Sequence, residues 1–387
     1  MLENNSMVRV AMVTCTMHPG GLETYLLRLG GYLKSKGYQV DIITTADKGP
    51  WFGLIRERGI GSKHFQQPRK RWRRLHAIKV AVKLALARYD VIFTNHASPA
   101  QYSVSLLPDR VVVIPVVHNH HDEVYRVAGL NAGACNVAVT VSPKLYETFR
   151  QKYPHSKALC IPHGIDVPPA EILSGRLPHT FPLELIFVGQ LAHDHKGVLF
   201  LPDIVKGCLA HGADVRLTVI GGGPDRERLE SKIRELQLEK YIVLKGVIQP
   251  DEIYHYFTRS HIHLMPSFFE GLGLVLLESQ ANGCVPVASH LPGVTDTALV
   301  DGVSGFLVKT GAVEEFVHAI LLLYNDPHKW TAMSHAAATY VRRHRSIDKM
   351  GEKYVALIQE CLAGEYPLAK SRKRQMMSLF GRVPAAL

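Results

Sequence analysis

Short runs of β-branched and other apolar residues recur along this chain, separated by stretches with helical spacing. "VRVAMVTC", "YQVDIITT", "YDVIFTNH", "RVVVIPVVH" and "NVAVTVS" occur in the first half. "LELIFVG", "VRLTVIGGG", "YIVLKG", "HIHLMPS", "VPVAS" and "SGFLV" follow in the second. A run that is apolar throughout suits a strand covered on both faces, and parallel strands need crossover helices to supply that cover. The segments "LETYLLRLGGYLKSKG" and "DRERLESKIRELQLE" have that helical character, the first ending at Gly37. Between the two series, "ILSGRLPHTFP" at 172–182 breaks into Gly, Pro and Ser, the composition of a linker. The expected fold is therefore α/β: two Rossmann-like doubly wound domains with a cleft between them. Ligands in such sheets sit beyond the carboxyl ends of the strands. The expected limits are 1–175 for the first domain, 176–365 for the second and 366–387 for a basic tail.

Bulk properties narrow the function. No apolar run approaches the roughly 18 residues of a membrane span. The opening "MLENNSMVRV" carries an acid and amides where a signal peptide has basic residues. Six cysteines without CxxC spacing fit reduced thiols and a cytoplasmic chain. The formal charge is +11, and all of it lies in the first half: residues 1–180 hold 23 Lys+Arg against 12 Asp+Glu, and the remainder holds 22 of each. Anionic partners should meet that half. Within it, "PRKRWRRLHAIKVAVKLALARY" at 68–89 reads as an interfacial helix with a basic start, Arg69, Lys70, Arg71, Trp72, Arg73 and Arg74. The competing reading is a surface helix with solvated charges. Nucleic acid is not expected, because no stacking platform or known module accompanies the charge.

Several motifs carry candidate chemistry. Gly20 and Gly21 precede a helix, where backbone N–H groups and the helix end favour an anion. Lys196 opens a segment after the strand ending at Gly189, where it could neutralise a phosphate. "VIGGGPDRERLE" resembles a dinucleotide fingerprint but puts Arg226 at the third glycine position, so a tight turn is the better reading. His118, His120 and His121, with Asp122 and Glu123, suggest either zinc or a substrate-contacting histidine; a second ligand cluster is not evident. In "PSFFEGLGLVLLESQANG", Glu270 and Glu278 lie eight residues apart, about 80° apart on one helix at 100° per residue. If the helix starts near 271–273, Glu270 lies in the loop before it. Both acids, with the backbone of the "GLG" turn, could then line one polyhydroxylated ligand.

"EGLGLVLLE" matches the E-x7-E motif of retaining GT-B glycosyltransferases. The ordered set "HPGGLETYLLRLGGYLKSKGYQVDIIT", "VAVTVS", "IPHGIDV", "FVGQL…HKG", "VIGGGPDRERLE" and "PGVTDTALVDGVSGFLV" resembles glycosyltransferase family 4 over roughly residues 8–360. The resemblance implies a GT-B enzyme whose last helix returns to the first domain. It implies transfer of a sugar from a nucleotide diphosphate sugar, UDP-sugar first and GDP-sugar second, without metal or other cofactor. By motif match, Glu278 would hold the ribose, and Glu270 with Gly271, Leu272 and Gly273 the donor sugar. Gly20, Gly21 and Lys196 would bind the diphosphate, and His118 would stand beside the reacting sugar. Glu270, Lys196 and His118 are thus the expected catalytic residues. Gln190 stands where the family pattern has arginine, and His163 where it often has asparagine. The expected acceptor is a glycan or lipid-linked hydroxyl in cell-surface polysaccharide or lipopolysaccharide-type synthesis, met at the inner face of the membrane. The alternative is a catalytically weak sugar-nucleotide sensor or scaffold, favoured by Gln190 alone.

Overall fold

The computed structural model describes residues 7–67, 73–96, 98–169, 171, 182–369 and 371–372. The chain divides into two compact units, Met1–Gly164 with Ile347–Leu387, and Ile165–Ser346.

In the first unit seven parallel strands run β1 (Arg9–Thr14), β2 (Gln39–Thr44), β3 (Gly61–His64), β4 (Val91–Asn95), β5 (Val112–Val117), β6 (Ala138–Thr140) and β7 (Ala158–Cys160). Their spatial order is β3-β2-β1-β4-β5-β6-β7. The order reverses between β1 and β4, which pair in register from Val10–Val91 to Thr14–Asn95. Every residue of β4 and β5 is buried, which explains why their apolar runs do not alternate. The edge strands β3 ("GSKH") and β7 ("ALC") are only half-buried; neither has the apolar run that marks the others.

The helix Gly21–Ser35 follows β1, and the helix Ile347–Leu362 packs against it within the same unit. Gly351 permits the approach, since a Cβ there would lie 2.2 Å from the Tyr32 ring. Tyr25 donates to the hydroxyl of Tyr354 at 2.9 Å in the buried contact. This returning helix belongs to the first unit, and the unit limits fall at 164/165 and 346/347. All but the last residue of the Gly/Pro/Ser break at 172–182 lies outside the described residues.

The helix Arg73–Leu86 covers a cluster that includes Ala11, Val13, Val104, Leu107, Val111 and Ala134. It buries His76, Val80, Ala81 and Leu84, and exposes Leu75, Ile78, Val82 and Leu86. Arg69, Lys70, Arg71 and Trp72 lie outside the described residues; Arg73 and Arg74 open the helix.

The second unit has β8 (Leu183–Val188), β9 (Val215–Ile220), β10 (Ile242–Gly246), β11 (Ile262–Met265), β12 (Val285–Ser289) and β13 (Phe306–Val308). These pair in parallel in the order β10-β9-β8-β11-β12-β13, reversing between β8 and β11. Its core joins Leu185, Phe187, Val215, Leu264 and Val287 to the faces of the helices Leu201–Ala210, Val313–Asn325 and Pro327–His344. Among the described residues no helix is long and apolar enough to cross a membrane, and none of the six cysteines is in a disulfide.

Candidate active site

Residues at the carboxyl ends of β8 and β11 meet where the second sheet reverses its strand order. After β8 the chain turns through Gln190 into the short helix His193–Lys196. After β11 it enters a loop from Pro266 to Gly273. Gly197 locks the two together: its φ is +64°, and a Cβ there would lie 2.0 Å from the carbonyl oxygen of Pro266. The carbonyl of His195 accepts from Phe268 N–H at 2.9 Å, tightening the same contact.

On this support Lys196 Nζ donates to Glu270 Oε1 at 2.6 Å. The side chains are 26% and 9% exposed, so the pair is only partly solvated. Ser267, itself fully buried, donates its hydroxyl to the same carboxylate oxygen at 2.8 Å. The carboxylate is therefore held from two sides, and the partly exposed ammonium sits in a partly desolvated setting, where a second anion would interact with it more strongly than in bulk water. Beneath them His263 is buried on β11, with Nδ1 2.9 Å from the Ser279 hydroxyl. Burial, then the nearby Lys196 charge, pulls its pKa down to about 3, so no second cation competes there.

Glu278 lies in the second turn of the helix Leu274–Ala281 and is 8% exposed. The helix starts directly after Gly273, whose φ of +79° allows a left-handed N-cap. Glu270 thus lies in the preceding loop, and Gly271, Leu272 and Gly273 lead into a helix N-terminus with unsatisfied N–H groups.

The glycines after β9 serve packing. A Cβ on Gly221 would stand 1.8 Å from the carbonyl of Gly189, and one on Gly223 2.5 Å from that of Leu191. The exits of β8 and β9 therefore run backbone against backbone. Asp225 accepts from His193 N–H at 2.7 Å, and His193 Nδ1 accepts from Leu199 N–H at 3.2 Å. Burial lowers the His193 pKa, so this ring is a neutral brace. Gln190 is exposed at the end of β8.

The first unit builds a different rim. Gly20 precedes the helix Gly21–Ser35, and the Glu23 carboxyl folds back so closely that a Cβ on Gly20 would meet its Oε2 at 2.8 Å. Burial raises the Glu23 pKa to about 7, against the lowering effect of its hydrogen bond from its own backbone N–H. Two residues on, Tyr25 reaches His118, 4.8 Å between centroids, so the glycine turn and this histidine share one neighbourhood. His118 stacks on His163 at 5.4 Å with 10° between planes. Its Nε2 lies 3.0 Å from Asn95 Oδ1, and the Asn95 amide donates to the carbonyls of Val13 and Phe93. That orientation assigns Nε2 as the donor to Asn95 and leaves the Nδ1 lone pair as the acceptor. Burial, with His163 and His96 nearby, keeps the His118 pKa well below the ordinary imidazole range.

The neighbouring histidines do not converge on His118. His120 Nδ1 lies 3.0 Å from the Tyr125 hydroxyl, Asp122 pairs with Lys152 at 2.9 Å, and Glu123 pairs with Arg126. Among the described residues no group of three or more His, Cys, Asp or Glu side chains could hold a metal ion. Sequence reading did not anticipate Ser267, Glu23, Tyr25 or Asn95. The signal for Ser267 was its position three residues before Glu270.

Two family models match the chain. "Glycosyl transferases group 1" covers residues 177–340 and "Glycosyltransferase Family 4" residues 19–168. An uncharacterized glycosyltransferase of Haemophilus influenzae is 24% identical over 341 residues, spanning 81% of this chain and 90% of its own length. A D-inositol 3-phosphate glycosyltransferase of Acidothermus cellulolyticus is 24% identical over 425 residues, spanning 94% and 93%. The crystal structure of Anabaena HepE with UDP and glucose superposes with a TM-score of 0.75 at 18% identity, covering 91% of this chain and all of that one. The pneumococcal O-GlcNAc transferase GtfA, solved with UDP and GlcNAc, gives 0.76 at 13% identity, covering 92% and 99%.

Proposed function

The chain belongs to the GT-B glycosyltransferases of group 1 and family 4, and from that premise we propose a retaining transfer of a sugar from a nucleotide diphosphate sugar, UDP-sugar first, to a hydroxyl of a glycan or lipid-linked acceptor. The observation that carries this reading is the Lys196–Glu270 pair at the point where the second sheet reverses. As the glycosidic C–O bond breaks, its electron pair leaves with the diphosphate, and a fixed ammonium opposite that charge favours the transition state. Glu270, steadied by Ser267, accepts from hydroxyls of the donor sugar. Glu278 accepts from the ribose. In the first unit, the Gly20–Gly21 turn offers N–H groups to phosphate, and neutral His118 offers an acceptor nitrogen to the reacting sugar. The UDP in both solved relatives supports uridine as the base. The surplus of positive charge in residues 1–180 supports an anionic acceptor or membrane surface for the first unit, with synthesis of cell-surface polysaccharide as the setting.

A thermal-shift series with UDP-, GDP- and ADP-sugars tests the donor. The cognate donor at a hundredfold excess over its Kd stabilises by about 2.7 kcal/mol. No shift with any of them, and no hydrolysis of any, would leave the sensor or scaffold reading in which Gln190 weakens the phosphate site. The catalytic groups named here are all side chains and backbone, so transfer is expected to survive chelation; loss in chelator rescued by magnesium or manganese would refute that.

A further inference from the structure

The two phenylalanines of "PSFFEG" are chemically identical and face opposite ways. Phe268 turns inward: its ring centroid lies 5.6 Å from that of Phe200 and 5.8 Å from that of His193. Phe269 turns outward and is 60% exposed. Among the described residues it is the only Phe, Tyr or Trp that is exposed. The chain has thus set a bare aromatic ring in water directly before Glu270.

That ring is held in place. The carbonyl of His195 accepts from the N–H groups of Phe268 and Phe269, at 2.9 and 3.3 Å. The His195 ring meets the Phe269 ring edge-on, with 6.0 Å between centroids and 60° between planes. The next residues on the same two segments are Lys196 and Glu270, joined at 2.6 Å. Two adjacent side-chain pairs therefore bridge the same segments, one aromatic and one ionic. They differ in depth. The Glu270 side chain is recessed, whereas Phe269 stands on the rim. A ligand gripped by the recessed acid fills the recess, and the rim is left to the molecule that comes to react with it.

The surroundings of the ring limit what can cover it. Phe268 and Leu272, its apolar neighbours along the chain, are turned inward, and Asp194 stands exposed beside His195. A protein interface wants a contiguous apolar patch, whereas one ring among charged groups suits one ring of similar size. The face of a phenyl ring is the negative side of its quadrupole. A pyranose carries its hydroxyls around its edge and positively polarised C–H groups on its faces. Phenyl offers no hydrogen bond to a hydroxyl, so it distinguishes a closed sugar ring from an open-chain polyol.

We propose that Phe269, propped by His195, is the platform on which a pyranose ring of the acceptor stacks, so that the reacting end of the acceptor is a sugar. This rests on the reading that Glu270 holds the donor sugar. The rival occupant of the platform is the donor sugar itself.

The test titrates the full chain, loaded with UDP-glucose, with methyl α-D-glucopyranoside and with sorbitol, followed by saturation-transfer NMR. Thermal shift gives the UDP-glucose affinity of the same proteins. Phe269→Ala should weaken binding of the glycoside by roughly tenfold, and Phe269→Trp should keep it within about twofold of wild type. UDP-glucose affinity should change by less than about twofold in both variants. Sorbitol should bind more weakly than the glycoside to wild type and should be indifferent to Phe269→Ala. Glycoside binding to Phe269→Ala as tight as to wild type would overturn the proposal, as would sorbitol matching the glycoside or no glycoside binding to wild type. An equal loss of UDP-glucose affinity in Phe269→Ala would give the ring to the donor sugar and overturn it too. Absence of a UDP-glucose shift in wild type would count against the uridine donor reading, while the glycoside titration would still judge the ring.

Discussion

The two units share a strand order and differ in what they place on its reversal. In each, the loops after the first and fourth strands in sequence flank the reversal. In the second unit those loops carry Lys196 and Glu270, a charged pair open to solvent on one side. In the first, one loop carries the Gly20–Gly21 turn and the other follows Asn95, the last residue of β4, which fixes a half-buried, neutral His118. One strand order therefore carries an ion pair at its reversal in one unit and a neutral histidine beside it in the other. The difference lies in the residues at and beyond the strand ends.

The largest expected effect breaks the charged side of this contrast. Lys196→Ala should lower kcat by about 10²–10³, as for other losses of a donor to developing negative charge. Glu270→Gln should also act mainly on kcat, and Glu278→Ala mainly on KM, because a ribose contact is made in ground and transition states alike. Steady-state kinetics on the three variants checks this; equal loss of donor affinity with unchanged kcat at both acids would undo the separation of their roles.

The next prediction concerns the first unit. Glu23 is raised to about 7 in the folded chain, so the folded state holds its proton more tightly than the unfolded one. Stability should fall as pH rises from about 4.5 to 7 and then level off, by on the order of 3 kcal/mol from this group. Glu23→Gln should remove that fall, and urea unfolding at pH 5 and pH 8 measures it.

Two smaller effects sharpen the comparison. Gln190→Arg should raise kcat by up to roughly tenfold by adding a charge-assisted donor beside Lys196. A slower variant would mean that the glutamine fits its donor. His118, held below its ordinary pKa, should stay neutral as pH falls from 7 to 6, and its imidazole NMR resonances should not titrate over that range.

The central strands of both sheets were legible as unbroken apolar runs because both of their faces are buried. The edge strands β3 and β7 were not: "GSKH" is polar and half-covered, and "ALC" is too short to show a period. Glu270 in a loop and Glu278 on a helix followed from the glycines between them, which favour a helix start at that point. Asn95 escaped notice because the group it orients, His118, follows a different strand, and Ser267 because a serine three residues before an acid shows its role only once the loop is folded. The glycines of "VIGGG" read as a tight turn rather than a dinucleotide site, and at Gly221 and Gly223 two backbones do approach closely.

The second unit occupies one unbroken stretch of chain, 165–346, whereas the first is assembled from both ends. A ribosome therefore releases everything the second unit needs before it delivers the helix Ile347–Leu362. Until then Tyr25 lacks Tyr354, and Tyr32 lacks the backbone of Gly351 that it packs against. The half of the enzyme that is made first is the one that must wait, holding apolar surface open during synthesis while the later half closes around its own core. Quality control of this chain should concentrate on the first unit, whose helix Ile347–Leu362 is made only after the whole of the second unit.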